Sequence, residues 1–252
     1  MKLRILLSND DGVDAPGLVT LARELRQIGE VIVVAPNSNQ SASSHSLTLT
    51  RPLRITAHGE KVYSVDGTPT DCVTMAFHEL LKKRPPHIVI SGLNHGANMG
   101  EDVTYSGTVA AAIEGAIMGI PAIAASITAG HTEQPTLTSA AKFLRRLIPK
   151  VVDRLPKYTL LNINFPTIPR GGYRRSQITR LGRRVYTDII STNKDPRGVN
   201  YFWIGGEPTW EHNGDTDTDD AAVARGIVSI TPLNIDMTDT ALLDAMRSWK
   251  LG

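Results

Sequence analysis

The stretch Leu3-Arg4-Ile5-Leu6-Leu7-Ser8-Asn9-Asp10-Asp11-Gly12 sets a short apolar strand directly against a polar turn with two adjacent carboxylates. Strand-length apolar runs bounded by turn residues recur at Val31 to Ala35, Val62 to Val65, His87 to Ser91 and Ala122 to Ile127. Helical patterns fall between them. Gly17 to Ile28 puts Leu18, Leu21, Ala22, Leu25 and Ile28 on one face and stops at Gly29. Thr70 to Lys83, entered through Pro69, repeats the pattern with Val73, Phe77, Leu80 and Leu81. Thr108 to Met118, closed by Gly119, is small and apolar on nearly every side, which marks a buried helix. Apolar strands alternating with helices predict an α/β fold: a Rossmann-like, mostly parallel sheet with helices on both faces.

After residue 128 the rhythm changes. Leu137 to Val152 reads as a helix with Lys142, Arg145, Arg146 and Lys150 on its outer side, and Leu160 to Phe165 as another buried strand. From Pro166 to Gly214 the text is richer in Pro, Gly, Arg and aromatics, with short strands expected at Gln177 to Leu181, Val185 to Ile190 and Asn200 to Ile204. This segment has little core of its own and reads as an excursion used in oligomer contacts. Its centre, Arg183 to Gly205, carries Tyr186, Tyr201, Phe202 and Trp203. Ile227 to Thr231 returns the chain to the sheet, and a last helix starts near Thr240. The expectation is one α/β domain over 1–252, with the core and the site in 1–130. Residues 131–252 are expected to complete that core and add a C-terminal β-rich arm.

With 252 residues, 41% of them hydrophobic and 21% charged, the chain is not a disordered one. A single cysteine, Cys72, excludes an internal disulfide framework and a Cys-based zinc cluster, and reads as a small buried apolar group. Twenty-seven basic against 25 acidic residues leave a net charge of +2, which makes no global case for nucleic acid or an anionic membrane. Phosphate, if bound, must be bound locally. The first apolar run is too short for a signal-peptide core, and no stretch reaches the roughly 20 apolar residues of a membrane span, so the expected compartment is the cytoplasm.

Three unusual clusters follow directly on strands, where open α/β sheets bind their ligands. In Asn9-Asp10-Asp11-Gly12 the adjacent carboxylates repel, a conflict relieved by solvent or a cation; the plainer reading is a turn with a helix-capping Asp. Asn37 to Ser46 is either an ordinary surface loop or a set of hydroxyls and amides able to touch a metal or a phosphate. The third cluster runs from Ser91-Gly92-Leu93-Asn94-His95-Gly96-Ala97-Asn98-Met99-Gly100 to Tyr105-Ser106-Gly107-Thr108 at the head of the buried helix. Ser106, Gly107 and Thr108 put N–H groups and hydroxyls at a positive helix end, the arrangement of a phosphate site. Neither the P-loop nor the dinucleotide glycine pattern is present.

These stretches, with Gln40-Ser41-Ala42-Ser43, Gly67-Thr68-Pro69-Thr70-Asp71-Cys72, Asp195-Pro196-Arg197-Gly198 and Val228-Ser229-Ile230-Thr231-Pro232-Leu233, resemble the survival protein SurE family nearly end to end. The resemblance implies a cytoplasmic, divalent-metal-dependent phosphomonoesterase, a 5'/3'-nucleotidase acting on nucleoside 5'- and 3'-monophosphates, with short polyphosphate a further candidate substrate. It implies a homodimer or homotetramer. Carried over by position, the metal ligands fall on Asp10, Asp11, Ser41 and Asn94, and the phosphate contacts on Asn98, Ser106, Gly107 and Thr108, with Asn9 beside the substrate. Asp10, Asp11 and Asn98 are the implied catalytic group. Two carboxylates, an amide and a hydroxyl form an all-oxygen set suited to one Mg²⁺ or Mn²⁺ per subunit. His45 and His95 are the candidates for the acid that protonates the leaving ribose oxygen.

Six arginines lie between Arg170 and Arg184: Arg170, Arg174, Arg175, Arg180, Arg183 and Arg184. They read as a solvated face or an interface rim, and nucleic acid is not the expected partner. Asp215, Asp217, Asp219 and Asp220 lack calcium-loop spacing and read as caps for the helix at Ala221. Two alternatives stand: a nucleotide-sensing or RNA-binding module that keeps the pocket, and a covalent aspartyl-phosphate phosphatase. The second wants Asp-x-Asp spacing, whereas Asp10 and Asp11 are adjacent.

Overall fold

The strand-helix alternation is realised in the computed structural model of the chain, which describes residues 2–128, 130, 133–167, 172–185, 190–205, 209–211 and 214–249. In chain order the elements are β1 (Leu3–Ser8), α1 (Pro16–Leu25), β2 (Gly29–Pro36), β3 (Ile55–Gly59), β4 (Val62–Val65) and α2 (Pro69–Met75), which runs into a π-helical turn (Ala76–Leu80). Then come β5 (Ile88–His95), a 3-10 turn (Gly100–Thr104), α3 (Gly107–Ile117), β6 (Ala122–Ile127), α4 (Gln134–Val151) and β7 (Thr159–Phe165). The remainder is β8 (Ser176–Ile178), β9 (Arg184–Val185), β10 (Ile190–Lys194), β11 (Asn200–Ile204), β12 (Thr209–Trp210), α5 (Asp219–Ala224), β13 (Val228–Asn234) and α6 (Thr240–Met246).

Nine strands form one sheet in the order β3-β4-β2-β1-β5-β6-β7-β13-β8. From β4 to β7 every neighbouring pair is parallel; β3 joins β4 and β13 joins β7 antiparallel. Along β1, Ile5 and Leu7 enter one apolar core and Leu6 the other, so the strand is buried on both faces. α1 and α4 cover the first face through Leu18, Leu21, Leu25, Leu137, Leu144 and Ile148. α2 and α3 cover the second, where a Cβ on Gly115 would stand 2.7 Å from Val89 Cβ. The small residues of α3 are therefore what let it lie close on the sheet.

The chain leaves β1 for β2 on one side and later returns to β5 on the other. The order thus reverses at β1, and the crevice for a ligand opens between the carboxyl ends of β1 and β5. The Asn9 to Gly12 turn and the Asn94 loop leave the sheet there.

Several expectations are corrected. The helix read over Thr70 to Lys83 changes at Ala76, where Leu81 N–H bonds the Ala76 carbonyl at 2.8 Å, five residues back; that spacing keeps Ala76 and Leu81 both buried. β5 continues past Ser91 to His95 with a register shift between Gly92 and Asn94. β3 went unread because it is an edge strand with no fully buried residue. Of the strand expected over Val185 to Ile190, residues 186–189, including Tyr186, lie outside the described residues, as does Arg170. In the arginine run Arg174, Arg175, Arg180 and Arg183 are exposed, in keeping with a solvated face, and three of its members also make ion pairs within the chain. Arg180 meets Asp215 and Asp217, Arg183 meets Glu211 at 3.2 Å, and Arg184 pairs with Asp102 under the Trp210 ring. The cap expected from the aspartates is not made, since the N-cap of α5 is Thr218 without a side-chain cap bond; instead the buried Asp219 carboxylate accepts the Gly100 N–H at 3.0 Å and the Gly182 N–H at 2.8 Å, tying the loop after β5 to the later segment.

Candidate active site

At the end of β1 the chain turns through Asn9, which is fully buried and spends its amide on Gly12: Nδ2 donates to the Gly12 carbonyl at 2.9 Å and Oδ1 accepts the Gly12 N–H at 3.2 Å. Asn9 therefore shapes the turn that aims the two aspartates, and its side chain is closed off from a substrate. Asp10 is 4% exposed. Its Oδ1 accepts the Thr108 hydroxyl, and burial, together with the charge of Asp11, pushes its carboxyl up to about 6 against the lowering pull of Thr108. Burial also raises Asp11, which lies beside the His95 N–H at 3.4 Å. Two neighbouring carboxylates, Asp10 buried and Asp11 half-buried, are unfavourable as a dianion unless a cation sits between them.

α3 begins against Asp10. Ser106 is its N-cap, accepting the Val109 N–H at 3.1 Å. A Cβ on Gly107 would lie 2.8 Å from Asp10 Cβ and 2.9 Å from Ser43 Oγ, so only glycine admits both neighbours. Thr108 is fully buried and its hydroxyl serves Asp10. The expected phosphate contact at Thr108 is thus reduced to the backbone. The first N–H groups of a helix lack intrahelical acceptors, which puts Gly107 and Thr108 N–H at the site, the Thr108 N–H itself bonding the Asp10 carboxylate.

The serine loop is docked between these two elements: Gln40 N–H bonds the Asp10 carbonyl at 2.8 Å and Ser44 N–H the Tyr105 carbonyl at 3.2 Å. Ala42 and Ser44 hold positive φ of 58° and 52°, a costly backbone for residues with a Cβ. Ser41 is exposed on the wall of the cleft. Ser43 is the residue that sequence reasoning missed, since nothing distinguishes it within the polar loop from Asn37 to Ser46; its buried hydroxyl has no hydrogen-bond partner among the described residues. Asn94 donates Nδ2 to the Gly96 carbonyl at 2.7 Å, which leaves Oδ1 as the acceptor end of an amide lining the same cleft as Asp10.

Asn98 is held from β6 and β7. Its N–H donates to Asn164 Oδ1 at 2.8 Å, its carbonyl accepts from Asn162 and Asn164 at 2.8 and 2.9 Å, and its amide meets Ser126 Oγ at 2.7 Å. A hydroxyl both donates and accepts, so the Asn98 amide can turn its NH₂ to an anion without losing Ser126. Of the two histidines, His45 is removed from the reaction. Its Nε2 is 2.9 Å from Glu114, seven residues or roughly 10 Å along α3 from Gly107. Glu114 also accepts from Thr74 at 3.0 Å, so this buried carboxylate anchors the serine loop. His95 remains on the cleft wall.

Asp10, Asn94, Asn98 and Ser106 line one cleft of about 860 Å³, with Ser41 at its edge. Among the described residues no three His, Cys, Asp or Glu side chains converge as a metal cluster. Asp11 lines an adjoining pocket with Asn39, and the two pockets share His95, so an ion between them would draw on two carboxylates plus amide and hydroxyl oxygens, a hard set without nitrogen or sulfur.

Comparison with known proteins gives one consistent result. Residues 5–188 match the family model described as Survival protein SurE. The chain is 49% identical over 253 residues to the 5'-nucleotidase SurE of Geobacter sulfurreducens, covering 99% of this chain and 95% of that protein. It is 49% identical over 247 residues to the protein of the same name from Vibrio vulnificus, covering 98% and 95%. Among solved structures, the SurE protein from Aquifex aeolicus superposes with a TM-score of 0.85 at 38% identity, over 97% of this chain and 98% of that one.

Proposed function

The chain belongs to the survival protein SurE family, and on that premise we propose that it is a divalent-metal-dependent phosphomonoesterase that hydrolyses nucleoside monophosphates to nucleoside and phosphate. The observation that carries this reading is Asp10, a buried carboxylate next to a second one and packed against the positive end of α3. Adjacent raised carboxylates favour a cation and the helix-end N–H groups beside them an anion, and a metal phosphate supplies both.

Asp10, Asp11, Asn94 and Ser41 would hold the ion, and the buried, raised carboxylates fit that role. When bound, a divalent cation neutralises a phosphate oxygen and acidifies water. The residues do the rest by position. The Gly107 N–H and the Asn98 amide would meet the equatorial phosphate oxygens, and Ser43 Oγ, a buried donor with no partner among the described residues, stands at the same helix end. Thr108 fixes the rotamer of Asp10, and Asn9 fixes the turn beneath it.

Mg²⁺ or Mn²⁺, one per subunit, suits the oxygen set, and action on both 5'- and 3'-monophosphates, on short polyphosphate, and in the cytoplasm belongs to the same proposal. No described helix is long and apolar enough to cross a membrane. A phosphate-release screen over nucleoside 5'- and 3'-monophosphates and short polyphosphate, with Mg²⁺, Mn²⁺ or chelator, tests it. Release from at least one nucleotide that stops in chelator is expected; release from none under any condition would overturn the reading.

The same proposal includes self-association through the β10–β11 hairpin. Ile190, Tyr201, Phe202, Trp203 and Ile204 are all exposed on it, a patch that favours burial against another copy of the chain. Replacing residues 190–204 by a short linker should lower the mass measured by light scattering to that of a smaller species, with melting of the sheet unchanged. An unchanged mass would contradict the arm.

A further inference from the structure

A phosphate would fill only part of the cleft. Its volume of about 860 Å³ lies within the range of whole small-molecule sites, roughly 300 to 1,000 Å³. Beside the polar residues Asp10, Asn94, Asn98 and Ser106, its lining includes Tyr105, 62% exposed, and Ile204, 83% exposed, the last residue of β11. Tyr105 directly precedes the Ser106 cap, so its ring leaves the backbone one residue from the phosphate end. That backbone is fixed: its N–H donates to the Asp102 carbonyl at 3.0 Å and its carbonyl accepts the Ser44 N–H at 3.2 Å. An aromatic ring left in water on a rigid backbone, lining the same cleft as an exposed apolar side chain and a site for a phosphate ester, is suited to a flat, partly apolar leaving group.

We propose that Tyr105 and Ile204 form the nucleobase subsite, Tyr105 as the stacking face and Ile204 as the opposing wall, so that the hairpin takes part in substrate binding as well as assembly. The subsite rests on the nucleotidase reading. Stacking on an aromatic face tolerates every base, because each has a π-face. Selection is therefore for the presence of a base and not its identity.

The test compares kcat/KM for AMP with that for ribose 5-phosphate, which keeps the ester and the sugar but lacks the base. Parent, Tyr105→Leu, Tyr105→Phe and Ile204→Ser are measured, each with its solution mass and melting temperature. In Tyr105→Leu the ratio of AMP to ribose 5-phosphate should fall roughly 5- to 140-fold, the span that base stacking represents, through KM for AMP. Tyr105→Phe should restore it, and Ile204→Ser should lower the ratio several-fold at unchanged mass. An unchanged ratio in Tyr105→Leu, or equal losses on both substrates, overturns the stacking role. Equal losses in Ile204→Ser with a reduced mass return Ile204 to assembly alone and overturn its share. A parent that hydrolyses neither substrate refutes the nucleotidase reading itself, an outcome separate from failure of the subsite.

Discussion

Asp10→Asn should melt higher than the parent in chelator at pH 8 while hydrolysing AMP at least about 10² to 10³ times more slowly, the loss typical of removing one preorganised electrostatic group. The two effects have one cause. Burial raises the Asp10 carboxyl from 3.8 to about 6, so the folded state binds its proton more tightly than the unfolded chain does. Stability is unaffected below pH 3.8 and falls as pH rises from there through 6. Above that the ionised side chain costs the fold about 3 kcal/mol. Asparagine keeps the volume and can still accept from Thr108, yet carries no charge to bury. For a chain of this size about 3 kcal/mol is on the order of 6 to 12 °C in melting temperature, an upper figure for the gain. The gain should vanish at pH 4, where the parent carboxyl is protonated in the fold. Asp11→Asn should lose activity similarly, with a stability gain of the same sign because burial raises that group too. A melting temperature below the parent's at pH 8 would show that the Asp10 charge is already compensated within the protein.

Gly107→Ala should also abolish most turnover, but with the opposite stability change. The added Cβ meets Asp10 Cβ at 2.8 Å and Ser43 Oγ at 2.9 Å, and neither is the free end of a long side chain. Both elements must shift, and a misplacement of about 1 Å costs roughly 10²-fold in rate. Overpacking of this kind costs about 1 to 3 kcal/mol, so the melting temperature should drop by several degrees. Ser106→Ala serves as a comparison: it removes the cap for about 1 kcal/mol and leaves the space at Gly107 intact. Measured kcat for AMP within about threefold of the parent in Gly107→Ala, far short of that rate loss, would place the reacting phosphate elsewhere.

The parts of this site that were legible in the sequence are local in the chain. The Asn9 to Gly12 turn, the Asn94 to Asn98 loop and the Ser106 cap each follow a strand whose apolar run is plain, and the alternation places those strand ends together. What was not legible depends on contacts between distant residues. Thr108 was read as a phosphate ligand because its neighbours in sequence suggest a helix entry; its hydroxyl instead meets Asp10, 98 positions away. His45 was a candidate acid until the fold set it against Glu114, 69 positions on. Asp219 was read as a helix cap, and its bond to Gly100 spans 119 positions. Ser43 is selected only by the space that Gly107 leaves. Edge strand β3 escaped because it lacks the buried alternation that betrays an inner strand.

The most direct measurement is calorimetric titration of Mn²⁺ into chelator-stripped protein at pH 6, in two buffers of different ionisation heat. One ion per chain should bind, with about half a proton released from Asp10, whose carboxyl titrates near that pH. At pH 8 the release from Asp10 should disappear, and Asp10→Asn and Asp11→Asn should bind far more weakly at both pH values. Undiminished binding by both variants, with no proton released at pH 6, would contradict the assignment of the metal to this pair of carboxylates.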